Sequence, residues 1–141
     1  MFVTNNRDGF NTMTKSIKAT VLVVDDDSMM REILKVLLRG DDYSVIGEAS
    51  NGNDAIEKCK QLDPDLVLLD INMPQMDGLI ALEGIQKVCP KTIVIMVSAD
   101  ATMDRVSEAI KKGAAGFIVK PLNAASVLDR ISVCLKNKLR Q

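Results

Sequence analysis

Unbroken apolar runs, each stopped by a polar residue, constrain this chain more than any other feature. Val21-Leu22-Val23-Val24 runs into Asp25-Asp26-Asp27, and Leu66-Val67-Leu68-Leu69 runs into Asp70. Ile93 to Val97 stops at Ser98, and Phe117-Ile118-Val119 stops at Lys120. A run without polar alternation predicts a strand buried on both faces, as in a parallel sheet covered by helices. Laid side by side in parallel, these strands place their carboxyl ends along one edge. Aspartates, a hydroxyl and an ammonium then meet in the crevice where open α/β sheets bind ligands. Such a grouping has the outline of a phosphoryl and metal site.

Between the runs the apolar period changes to that of amphipathic helices. Met30, Ile33, Leu34, Leu37 and Leu38 define the first, with Ser28 as its predicted cap and Gly40 as its stop. Val45 and Ile46 mark a weaker strand at a sheet edge. Ala55, Ile56, Cys59 and Leu62 form the face of a second helix, and Asp63-Pro64 turns the chain into the next strand. Leu79, Leu82 and Ile85 mark a third helix, in which Gly84 costs about 1 kcal/mol against alanine. Pro90 separates it from the fourth strand. Val106, Ala109 and Ile110 mark a polar-faced fourth helix closing near Gly113, and Leu128, Ile131 and Leu135 define the last. Its end is basic (Lys136, Lys138, Arg140), complementing the negative helix terminus.

Strands alternating with helices predict βαβ units, hence an α/β domain over residues 19–141 with no length left for an output domain. Residues 1–18 are polar and without apolar period, which predicts a disordered tail. Phe2 and Phe10 within it are candidates for docking onto a partner.

Composition narrows the function classes. A formal net charge of -1 gives no global attraction to nucleic acid or to an anionic membrane. No apolar stretch approaches the roughly 20 residues of a membrane span, and the polar start lacks a signal-peptide core. A cytoplasmic protein is expected. Cys59, Cys89 and Cys134 form no C-x-x-C motif, and the chain has 0 histidines. That predicts packed, reduced thiols rather than zinc ligands. It also excludes a phosphohistidine step or histidine acid/base catalysis within this chain.

Singly, the polar residues are ordinary: Asp25-Asp26 reads as a solvated turn, Ser98 as a turn residue, Lys120 as a surface cation and Phe117 as core. Together they mean more. Asp25, Asp26 and Asp70 brought to one edge repel one another, which raises some of their pKa values or demands a cation. Oxygen donors without histidine or cysteine suit a hard ion, partly hydrated Mg²⁺ above all, with Mn²⁺ as a substitute. Lys120 could pair with a carboxylate or a phosphoryl oxygen. Ser98 could bond a phosphoryl oxygen, with the Ala99 N–H beside it.

The segments VLVVDDDSMMR, DLVLLDINMPQMDGL, VIMVSADA and GAAGFIVKPL resemble those of bacterial response-regulator receiver domains, in the family's order and from about Thr20 to the last helix. The resemblance implies a flavodoxin-like doubly wound (βα)5 fold with a five-stranded parallel sheet in the order 2-1-3-4-5. It implies that Asp70 is the phosphoacceptor, taking its group from a phosphohistidine of a sensor histidine kinase or phosphotransfer protein. Asp25, Asp26, the Asp70 carboxylate and the backbone carbonyl of Asn72 would hold Mg²⁺. Ser98 and Lys120 would bind the phosphoryl group, and Lys120-Pro121 would be cis. Such a chain is a self-modifying phosphoacceptor in two-component signalling rather than a turnover enzyme.

By the same resemblance, Ser98 moves toward the phosphoryl group and Phe117 rotates into the vacated space. The face of the fourth helix, fifth strand and fifth helix then changes for a downstream protein, or for a second copy in a phosphorylation-dependent dimer. Asn72 and Asp100 flank the water path and tune dephosphorylation. Serine replaces the commoner threonine at position 98, and phenylalanine the tyrosine of many chemotaxis members at 117. Phe117 therefore has no phenolic hydroxyl with which to report its state.

Other classes remain open at this stage. A haloacid-dehalogenase-type phosphatase needs D-x-D, but the residue two past Asp70 is Asn72. A flavodoxin-like electron carrier would place a phosphate loop where this chain has Asp25, Asp26 and Asp27, which repel a flavin phosphate. A phosphorelay intermediate and a constitutive adaptor share the receiver fold.

Overall fold

The computed structural model describes residues 16–139. Residues 1–15 of the expected tail, with Phe2 and Phe10, lie outside the described residues, as does Arg140. Five strands alternate with five helices in the order β1 (Thr20–Val24), α1 (Ser28–Arg39), β2 (Ser44–Ala49), α2 (Gly52–Leu62), β3 (Leu66–Asp70), α3 (Gly78–Val88), β4 (Ile93–Ser98), α4 (Met103–Lys111), β5 (Gly116–Val119) and α5 (Ala124–Leu139). The strands form one parallel sheet ordered β2-β1-β3-β4-β5, the order implied by the resemblance. Among the described residues, no helix is long and apolar enough to cross a membrane.

Successive side chains of a strand point to opposite faces, so an unbroken apolar run feeds two cores. Leu22, Val24, Val67, Leu69, Val94 and Met96 pack with Ala55, Cys59, Leu79, Leu82, Ile85 and Ala109 on the side of α2, α3 and α4. Val21, Val23, Leu66, Leu68, Ile95 and Val97 pack with Leu34, Leu38, Val127 and Ile131 on the side of α1 and α5. Every residue of β3 and β4 is buried, so these central strands hold the site rigidly. Register sets Asp70 opposite Val97, and Ser98 opposite Val119.

Several local expectations need correction. Asp27, not Ser28, caps α1: its backbone is extended and its carboxylate accepts from the Met29 N–H at 2.9 Å. A carboxylate also suits the positive end of the helix. The third aspartate of the triplet is thus structural. β5 is not buried on both faces. It is an edge strand with one neighbour, which leaves Phe117 half-buried and Val119 52% exposed. In α5 the buried stripe is Val127, Ile131 and Cys134, with Leu128 and Leu135 packed at its margin. Leu62, at the end of α2, is mostly outside the core. β2 is an edge strand, as its weak pattern indicates, and Gly113 closes α4 with φ of 103°.

Cys59, Cys89 and Cys134 are free and buried. Burial pushes the Cys59 thiol up to about 12, with smaller contributions from Cys89 and Asp63, so it packs as a neutral group.

Two glycines mark close approaches. A Cβ on Gly84 would lie 2.4 Å from Cδ1 of Ile56, so the residue that weakens α3 lets α2 pack closely against it. A Cβ on Gly78 would lie 2.1 Å from the Asp70 carbonyl oxygen and 2.6 Å from Cα of Ile71. The obstacle there is backbone, which cannot swing aside. Gly78 N–H also donates to the Ile71 carbonyl at 2.7 Å, folding the 71–77 loop back beside the strand end. Gly78→Ala is expected to destabilise the fold by about 2 kcal/mol or more. Urea denaturation measures this, and a midpoint unchanged from the parent would contradict the close approach.

Candidate phosphoryl and metal site

The C-terminal edge of the sheet gathers the polar residues that stop the apolar runs. Asp25 follows β1 and is 1% exposed. Its N–H donates to the Ala49 carbonyl, its Oδ1 accepts from the Asp27 N–H at 2.9 Å, and its Oδ2 accepts from Lys120 Nζ at 2.9 Å. Asp70, at the end of β3, is 4% exposed. Its Oδ2 lies 3.4 Å from Lys120 Nζ and its Oδ1 accepts from the Asn72 N–H at 3.3 Å. Asp26 is exposed, yet Asp25, Asp26 and Asp70 each offer an oxygen to one group within 4.8 Å.

The electrostatics follow from this packing. Burial, then the neighbouring Asp25 charge, pushes the Asp70 carboxyl above the ordinary carboxylate range, against the pull of Lys120 and the Asn72 N–H. Burial works against the Lys120 ammonium, but its Asp25 hydrogen bond and the charges of Asp70 and Asp25 outweigh that and hold its pKa above the ordinary value. One ammonium facing three carboxyl groups leaves the cluster short of positive charge.

Ser98 ends β4 fully buried, and its hydroxyl accepts from the Asp100 N–H at 3.1 Å rather than bonding to the aspartates. The Ser98 carbonyl accepts from the Lys120 N–H at 3.0 Å, tying the ends of β4 and β5 together. The Lys120-Pro121 peptide is cis. Phe117 does not reach the carboxylates; it packs against the core cluster on the α2, α3 and α4 side of the sheet. Asn72 is exposed, and Asp100 turns its carboxylate to Arg105 at 3.4 Å.

Two arginines escape sequence reasoning. Arg31 donates from Nη1 to the Asp25 carbonyl at 2.7 Å and from Nε to Glu48 at 2.7 Å, fixing the turn that carries the acidic pair. It stands four residues past the cap Asp27, inside a segment already singled out, but a backbone acceptor leaves no trace in sequence. Arg105 pairs with Asp100 and with Asp77, the cap of α3. Only the i, i+3 spacing to Glu108 was legible there.

The carboxyl groups fit a divalent cation by donor chemistry. They supply oxygen only, from converging residues of which two are buried, as a hard ion of the Mg²⁺ type prefers. Buried carboxylates, an ammonium and an oxygen-only donor set on the strand ends of a (βα)5 sheet are the features of a receiver-type signalling domain. The chain belongs to the response regulator receiver domain family, whose pattern matches residues 21–132.

Among its relatives are chemotaxis regulators. The chain is 45% identical over 112 residues to the chemotaxis protein CheY of Thermotoga maritima, spanning 79% of this chain and 93% of that one. It is 44% identical over 115 residues to CheY of Bacillus subtilis, spanning 82% and 96%. The fold matches the crystal structure of a CheX–CheY–BeF3–Mg complex from Borrelia burgdorferi with a TM-score of 0.82 and 36% identity, over 84% of this chain and 90% of that one.

Because its pKa is raised on folding, Asp70 holds a proton more firmly in the folded than in the unfolded state between the ordinary carboxylate value and the raised one. Its effect on stability therefore worsens as pH rises from the ordinary carboxylate range through the raised value. With chelator present, Asp70→Asn is expected to melt a few degrees above the parent at pH 7. The gap should close as pH falls below the carboxylate range. Melting curves over pH check this, and a variant less stable at pH 7 would show that Asp70 stabilises the cluster.

Proposed function

We propose that Asp70 accepts a phosphoryl group from a phosphohistidine on a sensor histidine kinase or phosphotransfer protein. The observation that carries this is the buried Asp70 carboxylate, held beside Lys120 Nζ and within reach of Asp25 and Asp26. An Asp70 oxygen attacks phosphorus in line, the P–N bond to the donor imidazole breaks, and an acyl phosphate forms. The donor nitrogen takes up a proton. Catalysis of this step is mainly positioning and charge neutralisation.

Asp25, Asp26, Asp70 and the Asn72 carbonyl are the groups that would hold Mg²⁺, or Mn²⁺ in its place. When bound, the ion offsets the repulsion among the carboxylates and the charge of the incoming phosphoryl group. Lys120 pairs with a phosphoryl oxygen, and the Ser98 hydroxyl with another. The protein consumes one phosphoryl group per event and loses it to water, so it acts as a phosphoacceptor rather than a turnover enzyme.

The output is a protein contact made in the cytoplasm. Turning the Ser98 hydroxyl toward the phosphoryl group breaks its bond from the Asp100 N–H and frees the loop before α4. Phe117, half-buried on the edge strand, then rotates into the space that the Ser98 side chain vacates. The surface of α4, β5 and α5 carries Met103, Ile110, Val119 and Val133 exposed, an apolar face for a downstream protein or a second copy. That the related Borrelia protein is complexed with CheX in the presence of BeF3 and Mg supports a partner contact of this kind.

Incubation with acetyl phosphate and Mg²⁺ is expected to add one phosphoryl group by intact mass, with none in Asp70→Asn or with chelator. An unmodified parent protein that also ignores beryllofluoride would leave a constitutive adaptor. Asn72 and Asp100 border the approach of water, so replacing both with bulkier side chains should lengthen the phosphorylated lifetime several-fold. Decay at the parental rate would sink that role.

A further inference from the structure

We propose that Arg105 is an electrostatic gate residue, which clamps the two loops bordering Asp70 and offsets part of their negative charge, easing the entry of anionic phosphoryl donors. The inference rests on Asp70 being the acceptor. Its observation is the way three acids converge on one guanidinium: Asp77 at Nη2 (3.4 Å), Asp100 at Nε (3.4 Å) and Glu108 at Nη1 (4.0 Å).

Asp77 and Asp100 are also held by other bonds. Asp77 Oδ1 accepts from the Leu79 N–H at 2.8 Å as the cap of α3, which leaves Oδ2 for Arg105. The Asp100 N–H donates to the Ser98 hydroxyl. The Arg105 N–H donates to Thr102 Oγ1 at 3.3 Å in the first turn of α4, so the arginine's own backbone is anchored. The clamp thus joins the loop that continues from the acceptor at the end of β3 to the loop after the neighbouring β4.

Charge gives the clamp its function. Asp77 and Asp26 line the same solvent-open depression of ≈ 580 Å³, along the 71–77 loop. Small phosphoryl donors and phosphohistidines that approach the cluster of three carboxyl groups carry negative charge themselves. Without Arg105, the charges of Asp77 and Asp100 on the bordering loops would add in full to that repulsion, where one guanidinium now offsets part of it. These residues are about one-third exposed, so the effect is screened by salt. Arg105 is a positioning residue: it acts through Asp77 and Asp100 and forms no bond to the reacting atoms.

The test is the rate of phosphoryl uptake from acetyl phosphate with Mg²⁺, followed by intact mass at low and high ionic strength. Arg105→Ala is expected to slow uptake three- to tenfold at low salt, with the deficit shrinking at high salt. Arg105→Lys should retain most of the rate. Adding Asp77→Asn, which keeps a capping side chain, should restore much of the rate lost in Arg105→Ala. A purely structural arginine would show neither salt dependence nor rescue by removal of its partner's charge. Should Arg105→Ala not fold, Arg105→Gln, of similar length without the charge, carries the same comparison. Uptake at the parental rate, or a loss indifferent to salt and to Asp77→Asn, would overturn the gate. A parent protein that takes up no phosphoryl group would instead remove Asp70 as acceptor, and the gate with it.

Discussion

The Lys120 ammonium, lying between two buried carboxyl groups, is the interaction on which the rest of the site depends. Lys120 follows β5, which stands two strands from β3 and three from β1 in the sheet. Its long stem carries the charge to Asp70 and Asp25, where a shorter side chain would stop short. Buried charges persist only when paired and hydrogen-bonded. Asp25 satisfies that fully through Lys120 and the Asp27 N–H, whereas Asp70 has one long contact to each of Lys120 and the Asn72 N–H. The unequal division leaves Asp70 with spare acceptor capacity, and burial together with the Asp25 charge raises its pKa, features common to reactive groups.

Densely packed and sparsely bonded parts adjoin at the ends of β3 and β4. β3 and β4 are fully buried to their last residues, so Asp70 and Ser98 are placed by packing on both sheet faces. Immediately beyond, the chain enters loops held by single polar bonds: Asp100 to Ser98, Arg105 to Asp100 and Asp77, Asp77 to the start of α3. Gly78 docks that start against the Asp70 carbonyl with no space to give. A change at the acceptor therefore meets a stiff wall on the α3 side and a compliant link on the α4 side.

Apolar runs and their polar stops carried most of the fold, because an unbroken run can be stable only where both faces are covered. Helix faces were legible to within a residue or two, as Leu34 and Leu38 in α1 and Leu79, Leu82 and Ile85 in α3 illustrate. The errors have a shared origin: neighbour context. Val119 continues an apolar run yet is exposed, because β5 has a single partner. Ser28 and Asp27 are both good caps, and backbone direction chose between them. Asp25, Asp70, Ser98 and Lys120 stood out through their strand-end positions, whereas Arg31 and Arg105 act through a carbonyl oxygen and through residues far along the chain.

The energies involved suit a switch. Moving the Ser98 hydroxyl forfeits one ordinary hydrogen bond, worth about 0.5–1.5 kcal/mol net. A phosphoryl group at Asp70 would offer the moved Ser98 hydroxyl a charge-assisted bond of about 1.5–3 kcal/mol, whereas its bond to Lys120, already beside Asp70, would form in either position and drive nothing. Driving a two-state element from 1:99 to 99:1 takes roughly 5.5 kcal/mol of differential binding. One such bond, less the one broken, falls well below that figure, so the conversion it drives is partial. On the proposed function, the remainder would come from a partner that binds the switched α4–β5–α5 face more tightly, where exposed Met103, Ile110 and Val119 supply apolar area. On that reasoning phosphorylation and partner binding reinforce one another through the same loop, and neither alone need complete the transition.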